Sequence, residues 1–216
     1  QAMDWASLLS MVDHLACGLH QAGLRRDEHM VVVGANRPRL YATMLAVQSL
    51  GAIPIPLYQD AAAAECVFPI NNASVRFAFA EDQEQVDKLL EIRPQCAQLE
   101  RIYFDDPRGL RNYDEPGLES LDDLIAAGKA FSGLHTDFLR KEIDKVDCHD
   151  VAAMFFTSGT TGNPKGVVHT HNTLLNRAKA GADFDKLSSS DEVLAYLPPA
   201  WIGQNIFSYA QWLACG

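Results

Sequence analysis

The sequence predicts an α/β fold in which mostly parallel sheets carry helices on both faces. Short apolar runs alternate at regular intervals with segments whose apolar residues recur at helical spacing. Glycine and proline stand at several of the expected boundaries between these segments. The apolar share of 48% and the charged share of 21% are close to those of ordinary folded domains.

The first part of the chain shows this alternation most clearly. Apolar residues at helical spacing predict a helix over residues 5–19, with Gly23 where a C-terminal cap belongs. Residues 29–35 predict a short buried strand, and residues 38–50 predict a helix opened by a proline. Residues 52–58 are extended, and their two prolines place this segment at a sheet edge or make it an irregular strand.

The same order continues further along the chain. Residues 61–72 predict a helix that is broken near Pro69, and residues 75–80 and 100–104 predict strands. The helix between these strands is expected to end at Arg93, because a proline follows it. The other expected elements are a helix over 118–128, a charged helix over 135–150, a helix capped by Thr170 or Asn172, a strand over 192–197 and a helix over 206–214.

Charge and cysteine content exclude some classes of protein. The formal net charge of −10 argues against binding nucleic acid through a broad basic face, but a local phosphate site remains compatible with it. The five cysteines are scattered and form no C-x-x-C pair, which suits a reducing compartment. No apolar run approaches the ~20 residues that span a bilayer, and the start lacks a signal-peptide layout. The predicted location is therefore cytoplasmic.

One segment is suited to holding a polyphosphate. The sequence FFTSGTTGNPKG, residues 155–166, places hydroxyls, glycines and a lysine directly after the apolar run VAAMFF. That run predicts a buried strand, and the following GVVHT predicts a second one, so the polar residues form a loop within a hairpin. Glycines let backbone N–H groups approach an anion, while hydroxyls and Lys165 add donors and positive charge. An ordinary Gly/Thr-rich hairpin is the alternative interpretation.

This segment differs from the common P-loop, which requires G-x-x-x-x-G-K-[ST]. Counting from Gly159, the sixth position is Pro164, and Lys165 is followed by Gly166 instead of a hydroxyl residue. A strand is expected after the loop, whereas the P-loop leads into a helix. The sequence thus predicts a phosphate loop of a different kind.

The motif FTSGTTGNPKGVVHTH, residues 156–171, resembles the phosphate-binding signature of the adenylate-forming enzymes. That family contains acyl-CoA synthetases, luciferases and the adenylation domains of peptide synthetases. Residues 31–58 resemble an early strand–helix–strand unit of the family, and residues 192–205 resemble the segment that carries an aromatic residue into the acyl pocket. The likeness extends over the chain and is weakest between residues 105 and 147.

The resemblance implies the N-terminal part of the family's large domain over residues 1–216, with two sheet-centred lobes that meet near residues 105–150. It implies a carboxylate that attacks the α-phosphorus of ATP, followed by transfer of the acyl group to coenzyme A, with Mg²⁺ sharing the phosphate charge. The family's later adenine, ribose and metal segments and its adenylation lysine are not found here. The chain is therefore expected to be a fragment that does not catalyse alone.

The resemblance also implies a set of site residues. Lys165 is expected to be catalytic. The residues expected to hold the ATP phosphates are Thr157, Ser158, Gly159, Thr160, Thr161, Gly162 and Lys165. Trp201 and His171 are expected to line the acyl pocket, although packing alone is the alternative for Trp201. His169 and His171 form an H-x-H pair on one face of the expected strand, but no ligand partner lies close in sequence, so no metal site is predicted.

Several functions remain open at this stage. The leading one is a long-chain fatty-acid–CoA ligase, with ATP, Mg²⁺ and coenzyme A as cofactors and small molecules as partners. An aryl-acid–CoA ligase, another adenylation enzyme of the family and a non-catalytic nucleotide-binding module are the alternatives. A homodimer is left open, while nucleic acid and a transmembrane segment are not expected.

Overall fold

The computed structural model describes residues 3–157 and 162–215. The helices in these residues are α1 Trp5–Ala22, α2 Pro38–Ser49, α3 Ala63–Asn72, α4 Gln83–Ile92, α5 Leu121–Leu134, α6 Phe138–Ile143, α7 His171–Asp185, α8 Ile202–Asn205 and α9 Gln211–Cys215. A 3₁₀ turn covers Arg93–Gln95, and a π-helical turn at Ile206–Ala210 joins α8 to α9. The strands are β1 His29–Val33, β2 Ile53–Leu57, β3 Phe77–Ala80, β4 Arg101–Phe104, β5 Leu118–Ser120, β6 Val151–Thr157 and β7 Lys165–Thr170.

The first five strands form one parallel sheet in the order β2-β1-β3-β4-β5. Successive strand residues alternate between its two faces. On β1, Met30 and Val32 pack with α1, α2 and α5, whereas Val31 and Val33 pack with α3 and α4. The sheet is therefore buried on both faces, as the alternation of strands and helices predicts.

The prolines of β2 explain why this strand forms the edge of the parallel sheet. The N–H of Ile53 donates to the carbonyl of Glu28 at 2.8 Å, so this side of β2 faces β1. Pro54 and Pro56 alternate with it, and their nitrogens, which carry no hydrogen, point to the other side. Strand β6 lies along that side without joining the ladder. The predicted edge position of residues 52–58 is confirmed.

Strands β6 and β7 instead pair with each other as an antiparallel hairpin. The Gln48 side chain of α2 reaches β6 and donates its Nε2 hydrogen to the carbonyl of Ala152 at 2.8 Å. Phe155 packs with Leu174 of α7, while Phe156 points to the other face and joins the core under α3 and α4. The hairpin is thus fixed to the edge of the parallel sheet by side chains on both of its faces.

Several boundaries agree with the sequence prediction. Gly23 caps α1 in the left-handed region at φ 105°, and Pro38 is the first residue of α2. Thr170 caps α7, since its hydroxyl accepts a hydrogen bond from the N–H of Thr173 at 3.1 Å. Of the two predicted caps for this helix, the structure uses Thr170.

Three predicted elements differ in the structure. The charged helix expected over residues 135–150 is shortened to α6, because the carboxylates of Asp147 and Asp150 accept hydrogen bonds from backbone N–H groups and form turns after it. Helix α3 continues through Pro69, which is buried beside Ile70, so the expected break near Pro69 does not occur. Residues 192–197 do not form the expected strand, since no strand in the described residues pairs with them. Side chains bind the backbone there instead: Asn36 donates to the carbonyls of Ala195 and Leu197 at 3.2 and 2.9 Å. Among the described helices, none is long and apolar enough to cross a membrane.

Candidate functional site

The β6–β7 hairpin builds the two ends of the predicted phosphate loop. Thr157, the last residue of β6, lies opposite Lys165, the first residue of β7. The Thr157 hydroxyl donates to the carbonyl of Lys165 across a long distance of 3.5 Å. The loop therefore starts and ends on adjacent strands, with its hydroxyl and ammonium residues at the same end of the hairpin.

The described part of the loop is exposed. Thr157, Gly162 and Lys165 are all open to solvent. Within residues 3–157 and 162–215, no carboxylate forms an ion pair with Lys165. Its positive charge is thus free to meet an anion. The predicted phosphate ligands Ser158, Gly159, Thr160 and Thr161 lie outside the described residues.

A cavity of about 330 Å³ adjoins the start of the loop. Its walls are mainly aromatic and aliphatic, and come from the end of β2, from both strands of the hairpin and from the start of α8. The lining residues are Tyr58, Phe155, Phe156, Thr157, Val167, His169, Ala200, Trp201, Ile202 and Gly203. Thr157 belongs to both the cavity and the loop, so the two features share a border.

Trp201 lies in this cavity and is not a core residue. Half of it is exposed (50%), and it occupies the N-cap position directly before α8. Burial raises the pKa of the Tyr58 hydroxyl. Tyr58 and Trp201 line the same cavity, one from the end of β2 and one from the turn before α8.

His169 is a cavity residue that sequence reasoning did not select. Its ring packs edge-on against Phe155, with 5.7 Å between the ring centroids. Partial burial lowers the pKa of His169, which favours a neutral imidazole at neutral pH. Val167 and His169 alternate along β7 and both line the cavity, so the two-residue period of the strand could have indicated His169.

His171 lies elsewhere. It is the first residue of α7, and it lines a second cavity of about 400 Å³ that also contains Gln48, Cys148 and Leu174. Burial lowers its pKa, an effect that the charge of Asp150 partly offsets. Because β7 ends at Thr170, the strand period does not extend from His169 to His171, so the H-x-H pair does not share one strand face. The structure does not bring His171 together with Trp201.

In the described residues, one group of side chains has metal-ligand chemistry and suitable spacing. Asp147, Cys148 and His149 offer ligand atoms within 4.8 Å of one another, and all three residues are exposed. The His149 ring nitrogen Nδ1 lies 2.9 Å from a carboxylate oxygen of Asp147 and 3.3 Å from the Cys148 sulfur. These contacts satisfy the three side chains among themselves. The group lies away from the loop and from the cavity that contains Trp201.

The α/β scaffold thus carries a hairpin whose end places Thr157 and Lys165 beside an aromatic cavity, an arrangement typical of small-molecule sites. The family model described as AMP-binding enzyme matches residues 1–216. The chain belongs to the AMP-binding enzyme family.

Two curated relatives show how far the likeness extends. The human long-chain-fatty-acid–CoA ligase ACSBG2 is 28% identical over 192 residues, which cover 88% of this chain and 28% of that protein. The 4-coumarate–CoA ligase 4 of Arabidopsis thaliana is 26% identical over 203 residues, which cover 91% of this chain and 33% of that protein. The chain thus spans about a third or less of the length of these relatives.

The fold is also found among solved structures. Acetoacetyl-CoA synthetase from Streptomyces lividans superposes with a TM-score of 0.83 at 19% sequence identity, over 99% of this chain and 33% of that one. At this level of identity the likeness concerns the fold. It agrees with the predicted α/β architecture of parallel strands with helices on both faces.

Proposed function

We propose that this chain supplies the phosphate loop and part of the acyl pocket of an ATP-dependent fatty-acid–CoA ligase. The observation that carries the proposal is the position of Thr157, which ends β6 at the phosphate loop and also lines the cavity of Trp201. An acid in the cavity would therefore lie next to nucleotide phosphates on the loop. Such proximity is what joining a carboxylate to a nucleotide requires.

In the proposed first half-reaction, a carboxylate oxygen of the acid attacks the α-phosphorus of ATP. The bond between the α-phosphorus and the oxygen that links it to the β-phosphate breaks, and pyrophosphate leaves with the bonding electrons. The loop's backbone N–H groups and hydroxyls and the Lys165 ammonium would neutralise the charge that develops on the leaving group. The exposed Lys165 can take this role because no carboxylate of the described residues binds it.

In the proposed second half-reaction, the thiolate of coenzyme A attacks the carbonyl carbon of the acyl-adenylate and AMP departs. Mg²⁺ would accompany ATP and offset part of its phosphate charge. At the described ends of the loop, Thr157 and Lys165 offer no carboxylate for it. The chain therefore contributes hydrogen-bond donors and charge to the nucleotide, while the cavity contributes apolar surface to the acid.

A fatty acid is the leading substrate for two reasons. The cavity walls are largely apolar, with aliphatic side chains from Val167 and Ile202 beside the aromatic ones. The first relatives compared include ligases of long-chain fatty acids. Removing apolar carbon from water would supply much of the affinity for such a chain.

An aryl acid is the second candidate. Tyr58, Phe155, Phe156, His169 and Trp201 give the cavity five aromatic rings, which favour flat ring stacking. A 4-coumarate–CoA ligase is about as similar in sequence as the fatty-acid enzymes are. The two candidates share the loop chemistry and differ only in what fills the cavity.

A cytoplasmic location also belongs to the proposal. All five cysteines are free thiols. Burial raises the pKa of Cys17 to about 12 and that of Cys66 to about 11, so both thiols remain protonated and unreactive. Such cysteines are compatible with a reducing compartment.

The test supplies the full-length protein with ATP, Mg²⁺, coenzyme A and one acid at a time, and detects acyl-CoA by mass spectrometry. Saturated fatty acids of increasing length and a set of cinnamic and benzoic acids form the panel. Turnover of fatty acids with little turnover of aryl acids supports the leading candidate, and the reverse supports the second. If no acid in either set gives acyl-CoA or AMP, the proposed function is wrong.

A further inference from the structure

The turn that carries Trp201 is held by a chain of polar side chains, of which Gln204 is buried and Asn36 and Tyr41 are partly buried. Gln204 is fully buried, and its Oε1 atom accepts a hydrogen bond from the N–H of Leu197 at 3.1 Å. Its Nε2 atom donates to the hydroxyl of Tyr41 at 2.9 Å. One side chain of α8 therefore connects the start of the turn to helix α2.

Tyr41 is the centre of this network. Its hydroxyl accepts from Gln204 and donates to Oδ1 of Asn36 at 2.6 Å. The Nδ2 atom of Asn36 in turn donates to the carbonyls of Ala195 and Leu197. Both backbone groups of Leu197 are thus bound by side chains whose positions depend on a single phenolic oxygen.

The network is anchored to the parallel sheet. Asn36 lies in the short connection between β1 and α2. Next to it, the N–H of Ala35 donates to a carboxylate oxygen of Glu81 at 2.5 Å. The other carboxylate oxygen of Glu81 binds Arg37 at 2.8 Å. Because Glu81 directly follows β3, the connection is fixed to two central strands of the sheet.

The far end of the turn is fixed as well. Asn205 is almost fully buried, and its Nδ2 atom donates to the carbonyls of Pro199 and Trp201 at 2.7 and 2.8 Å. The Trp201 N–H donates to the carbonyl of Pro198 at 2.9 Å. The backbone position of Trp201 relative to the cavity therefore depends on hydrogen bonds at both ends of residues 197–201.

We propose that Tyr41 is a positioning residue for substrate selectivity: through Asn36 and Gln204 its hydroxyl sets how far Trp201 extends into the cavity beside the phosphate loop. This inference rests on the proposed function, because it concerns which acids the cavity accepts. A buried side chain such as that of Gln204 tolerates few alternative arrangements, since a lost partner leaves its polar group unpaired. Removing the hydroxyl would release the turn and let Trp201 adopt other positions.

Tyr209 offers a matched control. Its ring stacks on that of Tyr41, with 5.0 Å between the centroids and an angle of 25° between the planes. Its hydroxyl donates to Oε1 of Gln48 at 3.3 Å and, among the described residues, forms no hydrogen bond with residues 197–201. Tyr41→Phe and Tyr209→Phe each remove one hydroxyl from the same stacked pair, but only the first removes a hydroxyl that is bonded to the side chains holding the turn.

The first measurement is kcat/KM of the full-length protein for saturated fatty acids of increasing length. We expect Tyr41→Phe to change the ratio between the longest and shortest accepted acids by about tenfold, the size of effect that small changes in an apolar pocket produce. The KM for ATP should stay unchanged. Tyr209→Phe should keep the wild-type profile. Equal profiles in all three proteins, or equal shifts in both variants, would overturn the proposal.

The second measurement does not depend on activity. The protein is labelled with 5-fluorotryptophan, and the ¹⁹F resonance of Trp201 is assigned by its loss in Trp201→Phe. The proposal requires Tyr41→Phe to shift or broaden this resonance and Tyr209→Phe to leave it in place. Gln204→Met, which keeps the side-chain length but makes neither hydrogen bond, should act like Tyr41→Phe. If the Trp201 resonance does not move in Tyr41→Phe and Gln204→Met, the positioning role of Tyr41 is contradicted, whether or not the wild type activates a fatty acid. Failure of the wild type to activate any fatty acid would contradict only the proposed function.

Discussion

Thr157 and Lys165 face each other on the last rung of the β6–β7 ladder, so the hairpin fixes the hydroxyl and the ammonium at one end of the candidate site. The same Thr157 borders the aromatic cavity that contains Trp201. A ligand bound across this border would contact the loop with its charged part and the cavity with its apolar part. The predictions below concern the loop, the cavity, the packing of the scaffold and the half-buried histidines.

Lys165→Ala should slow formation of the acyl-adenylate more than transfer to coenzyme A, because pyrophosphate has left before the second half-reaction. The loss of one charged donor in such a site costs about 2–4 kcal/mol of transition-state stabilisation. ATP–pyrophosphate exchange by the full-length protein measures the first half-reaction. Lys179→Ala, which removes an exposed lysine from α7, is the control. An exchange rate for Lys165→Ala equal to that of the control would exclude the proposed role.

Trp201→Ala should change the acids that are accepted and cost little stability. Half of the side chain is exposed. We therefore expect the free energy of unfolding to fall by much less than the ~3–5 kcal/mol typical of a buried tryptophan. The measurements are kcat/KM over a fatty-acid series and a denaturant titration of wild type and variant. A large loss of stability with an unchanged chain-length profile would make Trp201 a packing residue instead.

Gly128→Ala in α5 should destabilise the fold, because α1 and α5 cross closely at this residue. A Cβ atom there would overlap the carbonyl oxygen of His14 and come within 2.7 Å of the Gly18 nitrogen. Such overpacking costs at least about 1–3 kcal/mol.

Gly133→Ala is the matched control in the same helix. A Cβ atom at this position meets no atom within 4 Å, so alanine should stabilise the protein by about 0.5–1 kcal/mol through its higher helix propensity. Urea unfolding of both variants gives the two values. Equal changes in the free energy of unfolding for the two substitutions would contradict the close crossing of α1 and α5.

The stability of the fold should decrease as the pH falls from 7 towards 5. Burial lowers the pKa values of His20, His29, His169 and His171 below the ordinary value of 6.5, so the unfolded chain binds protons more readily than the fold does. The free energy of unfolding therefore rises with pH through this window, and the contribution of these histidines to it is lost on acidification. His171→Gln should flatten the dependence, because it removes one of these four imidazoles. Denaturant titrations at several pH values test this, and identical slopes for His171→Gln and wild type would contradict it.

The sequence predicted those elements whose local and tertiary preferences agree. Helix α1 ends at Gly23, helix α2 begins at Pro38 and the hairpin brackets the loop, because in each case the residue type suits the backbone that the fold requires. The prolines of β2 likewise indicated an edge strand. The spacing of apolar residues and the positions of glycine and proline were sufficient to predict these elements.

The errors have tertiary causes. Residues 192–197 have a strand-like composition, but a strand forms only with a partner, and Asn36 and Gln204 bind the backbone there instead. Strand β5, Leu118–Ser120, was missed because it is short and leads directly into α5. The break expected near Pro69 ignored the burial of that ring in the core, which compensates for one missing hydrogen bond.

The sequence indicated some residues of the candidate cavity and missed others, because the position of several depends on the tertiary structure. A specific motif indicated Thr157 and a turn indicated Trp201, and both line one cavity, while their roles in binding phosphate and acid stay predictions. His169 was missed and His171 was chosen, because the residue at which β7 becomes α7 decides which imidazole reaches the cavity. The network of Asn36, Tyr41 and Gln204 joins residues more than 150 positions apart, which no local pattern reveals.

The measurement that tests the central claim most directly follows the oxygen atoms of the acid. A fatty acid carrying ¹⁸O in its carboxylate is incubated with the full-length protein, ATP, Mg²⁺ and coenzyme A, and the AMP is examined by mass spectrometry. If the carboxylate attacks the α-phosphorus, one labelled oxygen remains on AMP after the thiol displaces it. Unlabelled AMP, or ADP and labelled phosphate in its place, would contradict an acyl-adenylate and the function proposed for this site.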